Sequence, residues 1–381
     1  MLTRRFFLGV GGSAVAALSM PAMAFAGAGT SRRFVFIIQR GAADGLSIVA
    51  PTGDPQHGGL REGFDADIAG GTKLGSYFTL HPALAEAGKM FVENQALFVH
   101  AVASPYRDRS HFDGQNVLET GGSAAYQVKD GWVNRLLGLL PKADSKALAL
   151  SDTVPMALRG INEVGSYAPS NLAGPSDDLL QRVSAMYDPD AQLHSLWAEA
   201  LATRMSAGDA QGGGRNGGAI GSVAAKLLSG ESGARVAMIE TNGWDTHSGQ
   251  RARLAAQLRN LDGIVGGLKS GLGADWANTL VIVATEFGRT VRPNGTGGTD
   301  HGEASLAMLF GGAVAGGKVI ADWPGLSTAA LYEGRDLKPT TDLDSLIGGA
   351  LAQHYRLEPA RVMSALFPES RGRAFGQPVI A

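Results

Sequence analysis

Five short apolar runs punctuate the chain: RFVFII (33–38), ALFVHAV (96–102), ARVAMIE (234–240), TLVIVAT (279–285) and LAMLFGG (306–312). Such runs read as strands buried on both faces of a sheet. Between them lie helical patterns, among them ALAEAGKMF (83–91), GQNVLETG (114–121), RLAAQLRNLDGIVGGLKSGL (253–272) and DLDSLIGGALAQHY (342–355). Strands alternating with helices predict an α/β fold with a mostly parallel central sheet covered by helices on both faces. The stretch 176–230, with SDDLLQRVSAM and LHSLWAEALATRM, is helical in pattern and poor in strands, so it reads as a helical insertion capping one side. GDAQGGGRNGG (208–218) reads as a surface loop rather than a linker between domains. No internal repeat of solenoid period is present.

The first residues change the picture of where the protein works. MLTRRFFLGVGGSAVAALSMPAMAFAGAGT carries the pair Arg4-Arg5, then Phe6, Phe7 and Leu8, then a Gly- and Ala-rich apolar stretch with Ala-x-Ala cleavage sites. That is the pattern of a twin-arginine export signal over residues 1–26, followed by a mature α/β domain over 27–381. The stretch is too short and too rich in Gly and Ala for a spanning helix. The expectation is a periplasmic or secreted protein, handed folded to the twin-arginine machinery, so that a cofactor inserted in the cytoplasm travels with it. Cysteine is absent from the 381 residues. This excludes thiolate metal sites, iron–sulfur clusters and a Cys nucleophile, and leaves His nitrogen and carboxylate oxygen to hold any metal. The net charge of −2, without a basic run outside the signal, recommends neither nucleic acid nor a membrane surface as a partner of the mature form.

Chemistry-bearing residues gather where the strands end. After the first run comes QRGAADG with Asp44; after the second, ASPYRDRSHFDG with Arg109, Ser110, His111 and Asp113; after the third, TNGWDTH with Asp245 and His247; after the fourth, EFGRT with Glu286 and Arg289. Open α/β sheets bind ligands beyond the carboxyl ends of their strands. GTDHGEA, with Asp300, His301 and Glu303, instead precedes the fifth run. Either its Gly-rich loop reaches back over the same edge, or that strand runs antiparallel. Each cluster alone has an ordinary explanation: Asp44-Gly45 as a turn pair, Ser110 with Asp113 as a helix cap, Asp300-His301-Gly302 as an exposed loop. His57, His81, His194 and His354 read as surface or packing residues. His100 lies inside a strand and is left unassigned.

Taken together, AADG, SHFDGQNVLETG, WDTH, ATEFG and DHGEASLAMLFGG resemble, in order, the motifs of the alkaline phosphatase and sulfatase superfamily. More narrowly, the twin-arginine start with RGAADGL, RSHFDGQ, GWDTH, EFGRT and DHG resembles an exported family filed as a domain of unknown function. The resemblance implies an alkaline-phosphatase-like fold and a metal-dependent hydrolase of phosphate or sulfate esters. The implied cofactor is one or two divalent ions, Zn or Mn, with Mg or Ca as alternatives; the implied partner is a small anionic ester.

Residue by residue, the resemblance implies Asp245, His247 and His301 as ligands of a first metal, and Asp44 and Glu286 as ligands of a second. It implies Ser110 as nucleophile or its structural equivalent and Arg289 as a clamp on phosphate or sulfate oxygens. Trp244 would be packing that shields or orients the site. This chain departs from the pattern at Glu286-Phe287, where the superfamily has Asp-His, so a second site lacks one nitrogen. His111 beside Ser110 is the candidate replacement, or a base. Two other readings stand: a Ser-dependent ester or amide hydrolase using Ser110 with His111, and a non-catalytic binding or assembly protein on the same fold.

Overall fold

Strand β1 (Arg33–Gln39) shows why the chain folds as it does. Val35 and Ile37 join one apolar cluster, while Phe34, Phe36 and Ile38 join another, as the two-residue period of a strand requires. Every one of its residues is buried, so the strand sits in the middle of the protein with a core on each side. The computed structural model describes residues 31–168, 177–187, 189–190, 193–198, 200–201, 216–370 and 372–381.

The other strands, in chain order, are β2 (Val49–Ala50), β3 (Thr72–Leu74), β4 (Phe78–Leu80), β5 (Ala96–Ala103), β6 (Ala147–Leu150), β7 (Val164–Ser166), β8 (Val236–Thr241), β9 (Thr279–Ala284), β10 (Ser305–Phe310), β11 (Lys318–Ile320) and β12 (Thr341–Asp342). Nine of the twelve form one sheet in the order β11-β5-β10-β9-β1-β8-β6-β7, with β12 also paired to β5; β2, β4 and β3 form a small sheet of their own. β1 runs parallel to β8 and β9, and β6 parallel to β7 and β8. β10 is antiparallel to both β9 and β5. β10 therefore begins at the edge where its neighbours end. The second of the two sequence-level alternatives is the correct one, and it brings the 300–303 segment to the edge where β5 and β9 end.

Helices cover both faces. Leu254, Leu258, Leu261, Ile264, Val265 and Leu268 of the helix Gln250–Leu272 pack on the Val35 side. Trp132, Leu346, Ile347, Leu351 and Val362 pack on the Phe34 side, from the helices Trp132–Leu137, Leu343–Tyr355 and Pro359–Leu366. Each fully buried Leu, Ile or Phe stabilises the fold by about 1.5–3 kcal/mol, so a charge placed on either face of β1 would break one of the two cores. All five predicted strands and the four quoted helices are present, with ends shifted by up to three residues. The short strands β6 and β7 and the small sheet were not anticipated. The predicted insertion contains the helices Asp177–Tyr187 and Gly217–Leu228. The rest of that segment lies partly outside the described residues, and the export signal lies wholly outside them. No helix among the described residues is long and apolar enough to cross a membrane.

His354, read from sequence as a surface or packing residue, is only 1% exposed, and its Nε2 donates to the Arg33 carbonyl at 3.0 Å. Burial, with the Arg32 charge adding to it, pushes its pKa down to about 3. The unfolded chain therefore binds a proton that the folded chain refuses. Stability from this group is complete above the ordinary histidine range and declines as pH falls toward 3. Between pH 6 and 4 the loss is about 1.4 kcal/mol per pH unit. His354→Gln keeps an N–H donor for Arg33 and removes the titration. Chemical denaturation between pH 6 and 4 should give a wild-type slope steeper than the variant's by that amount; equal slopes would show that His354 is already protonated in the fold.

Candidate metal centre

WDTH follows β8, and the structure shows what each of its residues does. Trp244 is buried in the core beneath the site, and its Nε1 donates to Thr241 Oγ1 at 2.9 Å. Thr246 is buried and bonded to Gln250 Oε1. Asp245 and His247 are left nearly half exposed, at 45% and 46% of their side-chain surface. The turn depends on Gly41, whose φ of +119° is a left-handed value, and at which a Cβ would stand 2.5 Å from the Asp245 nitrogen. On the other side the Gly-rich loop closes down, with Asn294 Nδ2 and Thr296 Oγ1 both donating to the His247 carbonyl. At Gly298 a Cβ would meet that same carbonyl at 2.3 Å.

Four side chains converge here. His247 Nε2 lies 2.9 Å from His301 Nε2 and 3.2 Å from Asp245 Oδ1. His301 Nε2 is 3.5 Å from Asp245 Oδ1, and His111 Nε2 is 3.5 Å from Asp245 Oδ2. His111, Asp245 and His301 each present a ligand atom within 4.8 Å of the others. The far nitrogen of every ring is held. His111 Nδ1 faces Glu286 Oε1 at 2.8 Å, His247 Nδ1 faces Asp300 Oδ1 at 3.0 Å, and His301 Nδ1 faces the Arg109 carbonyl at 2.9 Å. An acceptor opposite Nδ1 assigns the proton to that nitrogen and leaves a lone pair on Nε2. The lone pairs of His111 and His301 and the Asp245 carboxylate then share one space, with His247 Nε2 against His301 and Asp245 at its side.

These residues fit a divalent metal. His111 Nε2 is buried and accepts no hydrogen bond, which is costly unless something occupies the space in front of it. Two imidazole lone pairs 2.9 Å apart also repel, unless a cation or a shared proton stands between them. Two nitrogens bound tetrahedrally at about 2.0–2.1 Å are about 3.3 Å apart, so a small opening of the His247–His301 contact would seat an ion. A nitrogen-rich set suits Zn better than Mg or Ca.

The ionisation of the group follows from its surroundings. Burial pushes Asp245 up, but hydrogen bonding and charge from Arg289, with His247 and His111, hold it below the usual carboxylate range. His301 is lowered by burial and by the charges of His111 and Arg289, which favours its neutral form. His111 is raised by its hydrogen bond to Glu286, against burial. A metal must therefore displace a proton from His111 more often than from His301, and uptake strengthens as pH rises.

Three expected site residues are placed elsewhere. Asp44 does not reach the cluster: it caps the short helix Gly45–Ile48 and lies buried against Arg61 Nη2 at 2.5 Å, with Ser47 Oγ and Gln250 Nε2 also donating to it. Its charge is compensated by these donors and not by the groups of the cluster. Glu286 is fully buried and accepts from Gly41 N, His111 Nδ1, Gln115 Nε2 and Thr285 Oγ1. It sits one residue behind the space, orienting His111. Arg289 is 1% exposed, and its donors go to the carbonyls of Gly41, Ala42, Trp244 and Thr299 and to Asp245 Oδ1. Four of its five N–H groups are engaged by these acceptors, and only one Nη1 N–H is left over, on a side chain that is buried. Conversely His111, considered as a base or a substitute nitrogen, stands among the converging groups. Ser110 precedes it as N-cap of the helix His111–Thr120, and its side chain makes no capping hydrogen bond. Sequence reasoning passed over Asp300 as anything but a loop residue. The signal was available in DH, an acceptor beside a ligating His in a Gly-rich loop.

The class is that of a mostly parallel α/β sheet with a His/Asp/His group, flanked by His247, at its carboxyl edge. Residues 94–367 match the family described as "Protein of unknown function (DUF1501)", and the chain belongs to that family. No curated protein matches the sequence. Among solved structures, the chain is similar to the C-terminal periplasmic domain of EcEptC from Escherichia coli in complex with Zn, at 10% identity over 74% of each chain and a TM-score of 0.38. A second structure of that domain gives 11% identity over 93% of each chain and a TM-score of 0.39. The TAB5 alkaline phosphatase mutant His 135 Glu with Mg bound in the M3 site gives 13% identity over 76% of this chain and 69% of that one, with a TM-score of 0.23. Likeness at this level leaves the reading of the site to its own geometry.

Titration of metal-free protein with Zn²⁺, followed by metal analysis, should give one equivalent bound by the wild type. His301→Ala or Asp245→Asn should abolish it, and Glu286→Gln should weaken it by roughly 10- to 100-fold. Asp44→Ala should instead strand Arg61 and destabilise the fold by about 3–5 kcal/mol without removing a ligand. A second equivalent lost on changing Asp44 would restore the two-metal arrangement.

Proposed function

We propose that the protein is an exported hydrolase of phosphate or sulfate esters that works with a single divalent metal, Zn or Mn. The observation that carries the reading is the convergence of three oriented imidazole nitrogens and Asp245 at a sheet edge that remains open on the Asp245–His247 side. A site whose ligands are half exposed can admit a substrate, whereas a purely structural ion is enclosed by its ligands. His111, Asp245, His247 and His301 would hold the ion. When bound, it supplies Lewis acidity: it polarises an ester oxygen and makes a nucleophile accessible at neutral pH.

The chain's own groups provide the rest. Glu286, Asp300 and the Arg109 carbonyl hold the three Nδ1 protons. Arg289 keeps Asp245 ionised and fixed. Ser110 presents its hydroxyl at the start of a ten-residue helix whose first turn its side chain leaves uncapped. The positive end of that helix, beside a cation site, favours an anionic group. Ser110 is the candidate nucleophile. A Ser110–His111 pair acting without metal is disfavoured, because His111 already faces Glu286 and Asp245.

Protein loaded with one equivalent of Zn²⁺ or Mn²⁺ should turn over at least one of a panel of aryl phosphates, phosphodiesters and aryl sulfates. Asp245→Asn should lose metal and turnover together. Ser110→Ala should lower kcat at least a hundredfold with metal content unchanged. Absence of turnover above metal-free protein across the panel would move the reading to a binding protein.

Export rests on Arg4 and Arg5. Replacing both with Lys should trap the precursor in the cytoplasm, as read by fractionation of producing cells; normal accumulation of that variant outside the cytoplasm would refute this route.

A further inference from the structure

His247 is the least sheltered histidine of the cluster: it lies in the loop after β8 with its side chain 46% exposed. Among the described residues, every hydrogen bond it makes with groups outside the cluster is to the Gly-rich segment 294–300. Its carbonyl accepts from Asn294 Nδ2 at 2.9 Å and from Thr296 Oγ1 at 2.6 Å, and its Nδ1 faces Asp300 Oδ1 at 3.0 Å. The same segment holds the chain just beyond His247, where Gly249 N and Gln250 N donate to the carbonyls of Thr296 and Gly297. Asn294 stands at the centre of this clasp. Its Nδ2 donates to the His247 carbonyl and to Asp300 Oδ1, at 2.9 and 3.0 Å. Its Oδ1 accepts from Thr296 N and Gly298 N, at 3.0 and 3.1 Å. The two ends of the amide are therefore not interchangeable. One meets two oxygens and the other meets two N–H groups, so only a side chain with a donor at one end and an acceptor at the other satisfies both. A flipped amide, or an Asp, would set oxygen against the His247 carbonyl and the Asp300 carboxylate. A segment that needed only to turn would use the Oδ1 end alone, since that end holds Thr296 and Gly298. The Nδ2 end serves His247 and the carboxylate behind it.

We infer, resting on the metal reading of the cluster, that Asn294 is a positioning residue of that site: through Nδ2 it holds the His247 main chain and aims Asp300 at His247 Nδ1, leaving Nε2 free to face a metal. Asn294 itself touches none of the converging groups except through the His247 carbonyl. Its action is to fix the place of the loop and the plane and tautomer of one ring. Partners of this kind, one step behind a ligand, weaken metal binding by roughly 10- to 100-fold when they are lost. The effect should be largest at His247, because the sheet supports that histidine least and the Gly-rich segment supplies what the sheet does not.

The experiment is a Zn²⁺ titration in competition with a chromophoric chelator, together with the visible spectrum of Co²⁺-loaded protein. The samples are the wild type, Asn294→Asp, Asp300→Ala and the variant carrying both changes. Asn294→Asp keeps the acceptor that shapes the segment and lacks the donor. It should unfold thermally like the wild type in the absence of metal, yet bind Zn²⁺ roughly tenfold or more weakly. Its added negative charge would by itself favour a cation, so weaker binding is not an effect of that charge on the ion. The Co²⁺ absorption of Asn294→Asp should shift, because a ring that is no longer held changes the ligand field. In the double variant the loss should be smaller than the two single losses combined, since both residues act on the same ring. Zn²⁺ affinity of Asn294→Asp equal to that of the wild type would overturn the inference. Weaker binding with an unchanged Co²⁺ spectrum would reduce Asn294 to a structural residue, and fully additive losses would overturn the route through Asp300. Failure of the wild type to take up either ion would refute the metal reading itself, and the role of Asn294 with it.

Discussion

The arrangement of the site depends on one guanidinium. Arg289 donates through Nε to Ala42 O, through Nη1 to Thr299 O, and through Nη2 to Gly41 O, Trp244 O and Asp245 Oδ1. In doing so it ties the loop after β1, the loop after β8 and the Gly-rich loop before β10 to the loop after β9 that carries it. A charge this deeply buried is tolerated only when it is fully paired, and Asp245 is its sole carboxylate. The same carboxylate offers its oxygens to the histidines. Arg289 therefore sets the position of a ligand without facing the ligand space, and a planar fork with five donors is the side chain able to serve so many acceptors from one place. Lysine there would keep the charge and lose most of the crosslinks.

That crosslink works because of topology. Parallel strands deliver β1, β5, β8 and β9 with their carboxyl ends on one edge, and the reversed β10 adds its entry to the same edge. His111 comes from the start of a helix and Asp245, Glu286 and His301 from three different loops, separated by up to 190 residues of chain, and no local interaction brings them together. The two cores flanking β1 do so. The site is thus as rigid as the sheet, and its half-exposed members, Asp245 and His247, are those that the sheet supports least.

The elements were legible because strands buried on both faces leave continuous apolar runs, and the edge was legible because chemistry-bearing residues follow those runs. That Asp245, His247 and His301 would meet could be read from their loops. The partners of Asp44, Glu286 and Arg289 could not. A carboxylate at the end of a strand looks the same in sequence whether it meets a metal or a guanidinium. Asp44 is decided by Arg61, which no spacing rule links to it, and by Gln250 from a helix some two hundred residues away. Glu286 is decided by His111, which turns a would-be ligand into the group behind one. Strands β6 and β7 were missed because ALAL and VGS are too short, and too Ala- and Gly-rich, to stand out from loop sequence.

Phe287 then takes on a different meaning. As a departure from Asp-His it looked like a lost nitrogen. In the structure it is buried, with its ring 5.1 Å from that of His111 and 5.2 Å from that of His301. His111 reaches the cluster from the adjacent helix, and the ring of Phe287 is a wall on which the imidazoles of His111 and His301 rest. An apolar wall on that side fixes the planes of both rings and keeps water from their backs. Water and any ligand must approach across Asp245 and His247. A second carboxylate and imidazole in its place would have added charge to a spot already holding Glu286, and would have required a second cation to neutralise it. With an aromatic ring there, the buried charge of Glu286 is answered by Gly41, His111, Gln115 and Thr285 alone.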